Sequence, residues 1–313
     1  MNTRPGAVSA ASFLLRFVDV SEQYGHHLVD EMVARLSSVE LACDIGIGAG
    51  TDLEIVKKRF PGARLVGIDC VDTHRRLLRQ NGCELEILDI ERESLPLEDE
   101  SVDLFIANQV LEHVKELFWV SHQICLKLRL GGHLIIGVPN ICALHNRLTF
   151  LCGMQPCQMK SYSAHVRGFA PREIPRFLSV CFPGGLRLES FRGAQFYPFP
   201  KPIARVLARL FPSLAHVSFY LLKKVSPYSG EFLRHPAEAR LETPFVLSES
   251  GPSAPHPTGA GAGREARHHR NPGAPQLHPG RQDPTRGLGG RPWTSGSAPR
   301  MEGPLPPATP SRP

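Results

Sequence analysis

The sequence predicts a doubly wound α/β fold, in which helices cover both faces of a mostly parallel β-sheet. Two observations predict this class. Short apolar runs that fit strands alternate along the chain with longer segments of helical periodicity. Glycine-containing turn signals separate these segments at Pro61–Gly62, Asn81–Gly82 and Gly131–Gly132. Such alternation favours parallel strands that are joined by crossover helices.

The individual elements can be placed in order. Strands are expected at 40–46, 64–69, 83–89, 102–108, 132–138, 186–196 and 217–225, and helices at 51–60, 72–80, 111–129, 171–181 and 200–211. Residues 10–38 carry apolar side chains at helical spacing and should form one or two further helices. Residues 140–170 do not fit the alternation, and a segment this long is either a binding lid or an ordinary structural excursion.

We therefore expect an N-terminal helical cap at 1–39, an α/β domain at 40–226 with an inserted cap at 140–170, and a tail at 227–313. Residues 251–313 contain 14 prolines and 11 glycines without apolar periodicity, which predicts a mostly disordered tail. The same residues hold eight arginines against three acidic residues, whereas the whole chain has a formal net charge of +6. The α/β domain is thus near neutral, and its charge gives no case for a nucleic-acid partner.

The cysteines indicate a reducing compartment. All eight lie between Cys43 and Cys181, none forms a C-x-x-C pair, and most fall in apolar runs. This pattern predicts buried free thiols rather than disulfides or a zinc site. The run at 11–20 is short and contains Arg16 and Asp19, so no secretory signal is expected, and no stretch of 18 apolar residues predicts a membrane span. We expect a cytoplasmic protein.

The most informative motif follows the first predicted strand. Residues 41–50 read Leu-Ala-Cys-Asp-Ile-Gly-Ile-Gly-Ala-Gly, and a second apolar run ends at Asp69. Glycines leave room for a ligand and permit positive φ angles, and the amides of the next helix start suit an anionic group. A dinucleotide fingerprint would place its third glycine at position 51, which is Thr51, whereas here it comes one residue early, at Gly50.

The pattern Asp44-x-Gly46-x-Gly48-x-Gly50 resembles motif I of class I S-adenosylmethionine (SAM)-dependent methyltransferases, and Asp69 stands where the ribose-binding acid would be. The resemblance implies a Rossmann-like sheet of seven strands whose last strand is antiparallel, with SAM as cofactor. It also implies that Asp89 accepts from the adenine amino group, that the backbone of Ile90 reads the ring edge, and that Asn108 faces the methionine end of the cofactor.

Three further strings extend the resemblance to methyltransferases of quinone biosynthesis and sugar or polysaccharide clusters. They are Val102-Asp-Leu-Phe-Ile-Ala-Asn-Gln-Val-Leu-Glu-His-Val114, the Pro139–Asn140 pair after the fifth strand, and His165-Val-Arg-Gly-Phe169. Glu112 and His113 are expected at the start of the next helix. Some quinone O-methyltransferases bind a metal through this string with an acid three residues before the glutamate. This chain has Gln109 there, so we predict no bound metal.

Several of these residues are candidates for acting on a small-molecule acceptor. His113 and His165 are the candidate general bases, because histidine titrates near working pH; His113 could instead pin its helix. Asn140, Tyr162 and Arg167 are candidate substrate-binding residues, although Asn140 could simply turn the chain and Arg167 could be a solvated loop residue. Because an oxygen acceptor such as a phenol or a sugar hydroxyl fits a histidine base, we expect transfer to oxygen; a carboxylate would need no base.

Three functions remain to be separated. The leading one is a SAM-dependent small-molecule methyltransferase, and the others are a non-catalytic SAM-binding module and a nicotinamide-dependent oxidoreductase. Asp44 and the early third glycine argue against the oxidoreductase. In addition, residues 201–211 place Lys201, Arg205 and Arg209 on one helical face, opposite an apolar face. Such a helix can lie on a membrane surface, although packing of the apolar face on the sheet is the common alternative.

Overall fold

The computed structural model describes residue 22 and residues 24–241. These residues form a seven-stranded sheet in the order β3-β2-β1-β4-β5-β7-β6. The strands are β1 (Leu41–Ile45), β2 (Arg64–Asp69), β3 (Cys83–Ile87), β4 (Val102–Asn108), β5 (Leu128–Pro139), β6 (Leu186–Ala194) and β7 (Val217–Lys224). β7 runs antiparallel to both of its neighbours, while the first five strands pair in parallel. The predicted fold class and strand count are confirmed.

Eight α-helices accompany the sheet within the described residues. They are α1 (His26–Val33), α2 (Thr51–Arg59), α3 (Arg75–Gln80), α4 (Leu117–Lys127), α5 (Leu144–Leu151), α6 (Glu173–Cys181), α7 (Lys201–Leu210) and α8 (Glu231–Glu238). One core cluster lies between the sheet and α4, α6 and α8, and a second lies between the sheet and α1, α2 and α3. Because both faces are covered, the central strands read as continuous apolar runs: β4 is buried from Val102 to Ala107.

The strand order creates the place where a ligand would bind. β1 pairs with β2 on one side and with β4 on the other, so the crossover direction reverses between β1 and β4. In open α/β sheets the crevice at the carboxyl ends of such strands is the common ligand site. Residues 46–50, Asp69 and Asn108 all follow or end these strands, which brings the predicted site residues to one sheet edge.

The helix predicted at 111–129 is shorter than expected. It begins only at Leu117, and Glu112 and His113 lie in the turn before it rather than at its start. The chain enters this turn at Gln109, whose φ of 60° is in the left-handed region and cannot belong to a helix. Both side chains are therefore presented by a turn at the sheet edge, where they can meet other loops.

The expected boundary of the α/β domain at residue 226 is also too early. The chain continues into α8, and Phe232 from this helix is fully buried among Phe177, Phe182 and Tyr228. The inserted segment at 140–170 contains α5 and a short 3₁₀ helix at Cys157–Met159, neither of which the sequence indicated. The predicted helix before residue 22 and the expected disorder beyond residue 241 lie outside the described residues.

Helix α7 packs through its small side chains. Ala204 and Ala208 are buried in a small cluster with Phe196 and Ala215. Ile203, Val206 and Leu210 are instead 49%, 58% and 64% exposed. The alternative in which the apolar face of this helix packs on the sheet is therefore wrong for these three residues. Among the described residues, no helix is both long enough and apolar enough to cross a bilayer.

Candidate functional site

The glycine-rich turn after β1 has the geometry that a ligand requires. Gly46, Gly48 and Gly50 all adopt left-handed φ angles, at 72°, 50° and 84°. A Cβ atom at Gly46 would stand 2.5 Å from Val110, and one at Gly50 would stand 2.4 Å from Leu78. A Cβ atom at Gly48 would meet nothing within 4 Å. Gly46 and Gly50 are thus needed for packing, while Gly48 leaves open space beside the sheet edge for a bound group.

Asp69 at the end of β2 is fixed against this turn. Its Oδ2 accepts a hydrogen bond from the amide of Gly48 at 3.1 Å, and its Oδ1 accepts from the amide of Val71 at 3.2 Å. Each carboxylate oxygen keeps a further lone pair. The side chain is therefore oriented in advance and can still accept hydrogen bonds from two neighbouring hydroxyl groups.

A cleft of about 300 Å³ joins the predicted cofactor residues. It is lined by Gly46, Asp69, Asp89, Ile90, Gln109 and His113, together with apolar side chains from the ends of β2 and β3 and from the turn after β4. Asp89 is held by a hydrogen bond from the amide of Glu91 to its Oδ1, at 3.0 Å. Four residues predicted to bind the cofactor and one predicted base therefore share one cavity.

Asp44 lies beneath the glycine turn and is 3% exposed. Burial raises the pKa of its carboxyl well above the ordinary value, and the charges of Asp52 and Asp69 raise it further. Three carboxylates thus lie close together at this edge of the sheet. A positively charged ligand group would relieve the repulsion among these carboxylates. The ammonium group of an amino acid is such a group.

Two residues near the same edge were not predicted. Asp52, in the first turn of α2, has its Oδ1 2.7 Å from Nδ1 of His26 in α1. The amide of Asn108 donates to Oδ2 of Asp52 at 2.9 Å and to the carbonyl of Tyr24 at 2.8 Å. The hydrogen bond with Asp52 raises the pKa of His26. No sequence signal pairs His26 with Asp52, because only the packing of α1 on α2 brings them together.

Two orphaned polar atoms indicate where a ligand would bind. Oδ1 of Asn108 and Nε2 of Gln109 are buried and have no hydrogen-bond partner. A buried acceptor or donor without a partner is costly, so such atoms commonly face a ligand or an ordered water. An amino-carboxylate group supplies one donor and one acceptor, so the residues at this edge fit the methionine end of SAM.

His113, which lines the cleft, comes together with His165 from the inserted segment. Their rings meet edge to face with centroids 4.8 Å apart, and His113 donates from Nδ1 to the carbonyl of Ala164 at 3.1 Å. Burial, followed by the neighbouring His113, lowers the pKa of His165. A lowered pKa favours the neutral form of the His165 ring, which can accept a proton, as a general base must.

Glu112 adjoins this pair and was not among the predicted catalytic residues. Its side chain is 1% exposed, and neither of its carboxylate oxygens has a partner. Burial raises the pKa of this carboxyl to about 7. A ligating atom from each of Glu112, His113 and His165 lies within 4.8 Å of the other two. The absence of a bound metal, which was predicted because Gln109 is a neutral amide, stays a prediction.

The predicted acceptor-binding residues are less closely grouped. Asn140 is fully buried; its amide donates to the carbonyls of Ser213 and Ala215, and its Oδ1 accepts from the amide of Cys142. These contacts favour the alternative in which Asn140 turns the chain. Arg167 donates to the carbonyls of Val114 and Lys115, at 3.1 and 2.8 Å, and so fastens the inserted segment to the turn before α4.

Tyr162 lines a second and more open cavity. Its side chain is 84% exposed, and the cavity has a volume of about 660 Å³. The walls come only from the inserted segment and include His145, Asn146, Gln155 and Lys160. The inserted segment therefore carries a cavity of its own, which supports its prediction as a substrate-binding lid without identifying the substrate.

Comparison with known proteins now identifies the class. The family model described as "Methyltransferase domain" matches residues 43–136, which contain the glycine turn, Asp69, Asp89, Asn108 and His113. The chain is 34% identical over 132 residues to an uncharacterized 37.1 kDa protein in transposon TN4556 of Streptomyces fradiae, covering 40% of this chain and 37% of that protein. It is 33% identical over 96 residues to malonyl-[acyl-carrier protein] O-methyltransferase of Methylococcus capsulatus, covering 29% and 34%.

Among solved structures, the fold is similar to the methyltransferase in a complex with the Haloferax volcanii Trm112 activator. The TM-score is 0.49 at 14% identity, covering 70% of this chain and 96% of that chain. The family-model match by itself assigns residues 43–136 to a methyltransferase domain, as the resemblance to class I SAM-dependent methyltransferases predicted. The chain matches little more than a third of the length of these curated relatives.

Proposed function

We propose that this protein transfers a methyl group from SAM to an oxygen atom of a small-molecule acceptor. The observation that carries the proposal is the single cleft that joins Gly46, Asp69, Asp89 and Ile90 to His113. Its walls include the acids and the glycine that suit a nucleoside, and His113, whose ring contacts that of His165, lines the same cleft. A donor-binding region and a proton acceptor thus meet where transfer would occur.

Bound SAM would supply an electrophilic methyl group on a positively charged sulfur atom. The residues of the chain have three tasks. The glycine turn and Asp69 hold the donor in place, and the imidazole of His165 or His113 takes the proton of the acceptor hydroxyl. The acceptor oxygen forms the new bond to the methyl carbon as the carbon–sulfur bond breaks, and that electron pair stays on sulfur. Alignment alone can lower such a barrier by about 7–11 kcal/mol, more than one base supplies.

An oxygen acceptor is proposed because the histidine pair suits a hydroxyl group. Among the relatives, the name malonyl-[acyl-carrier protein] O-methyltransferase also describes transfer to oxygen, although that protein shares only a segment with this chain. The cavity around Tyr162 adjoins the same inserted segment and is large enough for a drug-sized molecule. It is the candidate place for the body of the acceptor.

Calorimetric titration with SAM and with NAD tests the donor. SAM should bind and NAD should not; binding of NAD alone would favour the oxidoreductase. Incubation of the protein with methyl-tritiated SAM and a cell lysate then tests for transfer. Label in a small-molecule fraction supports the proposed activity, whereas SAM binding without transfer to any fraction would favour the non-catalytic module.

The histidine pair is tested by His113→Ala and His165→Ala. Loss of a positioned base should reduce kcat by about 10²–10⁴-fold in one of the two variants, while the affinity for SAM changes little. In the affected variant, kcat should no longer fall at low pH, because the base whose protonation causes that fall is gone. If both variants react at the same rate as the unaltered protein, neither histidine is a base, and alignment of donor and acceptor alone accounts for the catalysis.

A peripheral membrane contact through residues 201–211 is a second proposal. The exposed Ile203, Val206 and Leu210 and the exposed Arg209 support it. Lys201 and Arg205, in contrast, each contact Glu22 at 2.8 Å. The unaltered protein should therefore sediment with anionic liposomes, also in high salt, and the Leu210→Glu variant should sediment less. Equal binding of the unaltered protein and the variant would refute the membrane contact.

The cellular location is proposed from the cysteines. All eight are free in the structure, and four of them are exposed or half-buried rather than buried. Such thiols persist in a reducing compartment, so we propose that the protein works in the cytoplasm. Fractionation of cells followed by immunodetection tests this location.

A further inference from the structure

We infer that the cavity of the inserted segment binds a negatively charged acceptor, which carries a carboxylate or phosphate group in addition to the hydroxyl that is methylated. The inference rests on the proposed function, whose acceptor it narrows to a chemical class. It follows from the way charge is divided between the donor cleft and this cavity. Acidic side chains line the cleft, whereas the cavity has a lysine and no acidic side chain.

The donor cleft is lined by three acidic residues. They are Asp69, Asp89 and Glu91, and no lysine or arginine is among the described residues that form its walls. Because SAM carries a positively charged sulfur atom, this acidic lining is complementary to the donor. A negatively charged molecule would be repelled by the same carboxylates, so an anionic acceptor would not compete for the donor cleft.

The cavity of the inserted segment has the opposite charge pattern. Its volume is about 660 Å³, and the described residues that line it include Lys160 but no aspartate or glutamate. The sequence around it has the same bias, since residues 117–172 contain six lysines and arginines and no acidic residue. An anion that enters this cavity therefore meets a positive charge and no carboxylate in the walls.

Lys160 is the cation that remains available to a ligand. Nε of Arg147 already donates to the carbonyl of Cys142 at 2.7 Å, and Arg167 is occupied by the carbonyls before α4. Nζ of Lys160 lies 5.5 Å from the centre of the Tyr162 ring, and it forms no ion pair with a carboxylate of the described residues. Its ammonium group can therefore donate to a carboxylate or phosphate, while the exposed tyrosine ring offers an apolar surface.

The cavity is linked to the proposed base by side-chain contacts. The ring of His145, in the cavity wall, contacts that of His216 with centroids 5.1 Å apart. Nε2 of Gln158 donates to Nδ1 of His216 at 3.3 Å, and the backbone of Gln158 bonds to His165. Burial lowers the pKa of His145, and it lowers that of His216 to about 3, which favours uncharged rings. Lys160 thus supplies the positive charge of a cavity that adjoins the base.

The first test uses the full-length protein, methyl-tritiated SAM and a small-molecule cell extract separated into anionic, neutral and cationic fractions. Label should enter the anionic fraction, and the product should still bind an anion exchanger, because methylation of a hydroxyl leaves the anionic group unchanged. Label in the neutral or cationic fraction alone would overturn the inference and support the proposed function. A product that no longer binds the exchanger would also overturn it, since the carboxylate itself would then be the acceptor.

The lysine is tested by Lys160→Met. The amount of anionic extract that gives half-maximal labelling should rise about 10-fold, as is typical when a hydrogen bond to a charged group is lost. The maximal rate and the affinity for SAM should not change, because Lys160 contacts neither the donor nor the reacting atoms. Lys58→Met is the matched control, since Lys58 is exposed on α2 and lines no part of the cavity. Equal half-maximal amounts for the two variants would refute the role of Lys160.

Binding of an anion can also be measured without methyl transfer. Saturation-transfer NMR compares 3-hydroxybenzoate with 3-hydroxybenzamide, which has nearly the same shape and no charge. The benzoate should give the stronger signal, and Lys160→Met should reduce it to that of the amide. Equal signals from the two probes in the unaltered protein would overturn the inference. If no extract fraction is labelled but the preference for benzoate depends on Lys160, the proposed function fails and the anion-binding cavity stands.

Discussion

The imidazole ring of His165 stands edge-on to that of His113, with ring centroids 4.8 Å apart. His113 precedes β5 in the chain, whereas His165 follows it within the inserted segment. The segment is held there by the backbone, since the amide of Val166 donates to the carbonyl of Glu112 at 2.8 Å. The inserted segment therefore completes the histidine pair of the site.

Asp69 should be essential for holding the donor. In Asp69→Asn, the side chain keeps its shape but loses the charge that accepts hydrogen bonds from the donor's hydroxyls and from Gly48. Because a hydrogen bond to a charged group contributes about 1.5–3 kcal/mol, the affinity for SAM should fall about 10- to 100-fold in calorimetry. Asp99→Asn, which alters an exposed pair with Lys127, should bind SAM normally. Equal affinities would contradict the assignment of Asp69.

Substitution of two glycines in the turn should impair different properties: SAM binding at Gly48 and stability at Gly50. Gly48→Ala places a methyl group in open space, so it should abolish SAM binding while costing only the roughly 1–2 kcal/mol of a left-handed non-glycine residue. Gly50→Ala adds a clash with Leu78 and should unfold at a clearly lower denaturant concentration. Urea unfolding and SAM titration of both variants measure this contrast. If Gly48→Ala binds SAM like the unaltered protein, the open space is not the donor site.

The contact between His26 and Asp52 should make stability depend on pH. The hydrogen bond to Asp52 raises the pKa of His26 above its ordinary 6.5. The contact therefore contributes fully to the free energy of unfolding below the pKa that His26 has in the unfolded chain. This contribution is lost as the pH rises through the higher pKa of His26 in the folded protein. His26→Asn should destabilise the protein at pH 5.5 but little at pH 9. The loss should stay below about 1 kcal/mol, because the His26 side chain is 38% exposed.

Urea unfolding of both proteins at the two pH values measures this effect. The slope of the transition should be the same for both proteins, which would show that the variant keeps the folded state compact. A difference in stability that is equal at the two pH values would show that the contact does not involve the charged imidazole.

Helix α8 should be part of the folding unit. Phe232 is fully buried among aromatic side chains of α6 and its neighbours, so Phe232→Ala should lower the free energy of unfolding by about 3–5 kcal/mol. A chain that ends at residue 226 should be less stable still, while one that ends at residue 241 should retain the core. Phe211→Ala, at a residue that is 51% exposed, should change stability by less than about 0.5 kcal/mol. Normal stability of the shorter chain would restore the boundary at 226.

The elements that the sequence predicted well are those whose pattern is local. The strands from β1 to β7 and the glycine turn follow from apolar runs and from residue types that the backbone itself requires. The helix start at 111 was wrong because residues 111–113 form a turn, in which the amide of His113 donates to the carbonyl of Val110. Helix α8 was missed because its burial depends on Phe177 and Phe182, which lie far away in the sequence.

By itself, the sequence determined the fold class, the family and the residues at the carboxyl edge of the sheet, since each of these depends on short motifs at fixed spacing. Only the tertiary structure decided that Glu112 is buried beside two histidines, that Asp52 pairs with His26, and that Asn140 is occupied by backbone carbonyls. Those relationships join segments on either side of whole strands and helices. They arise from packing, for which no local pattern in this chain carries a signal.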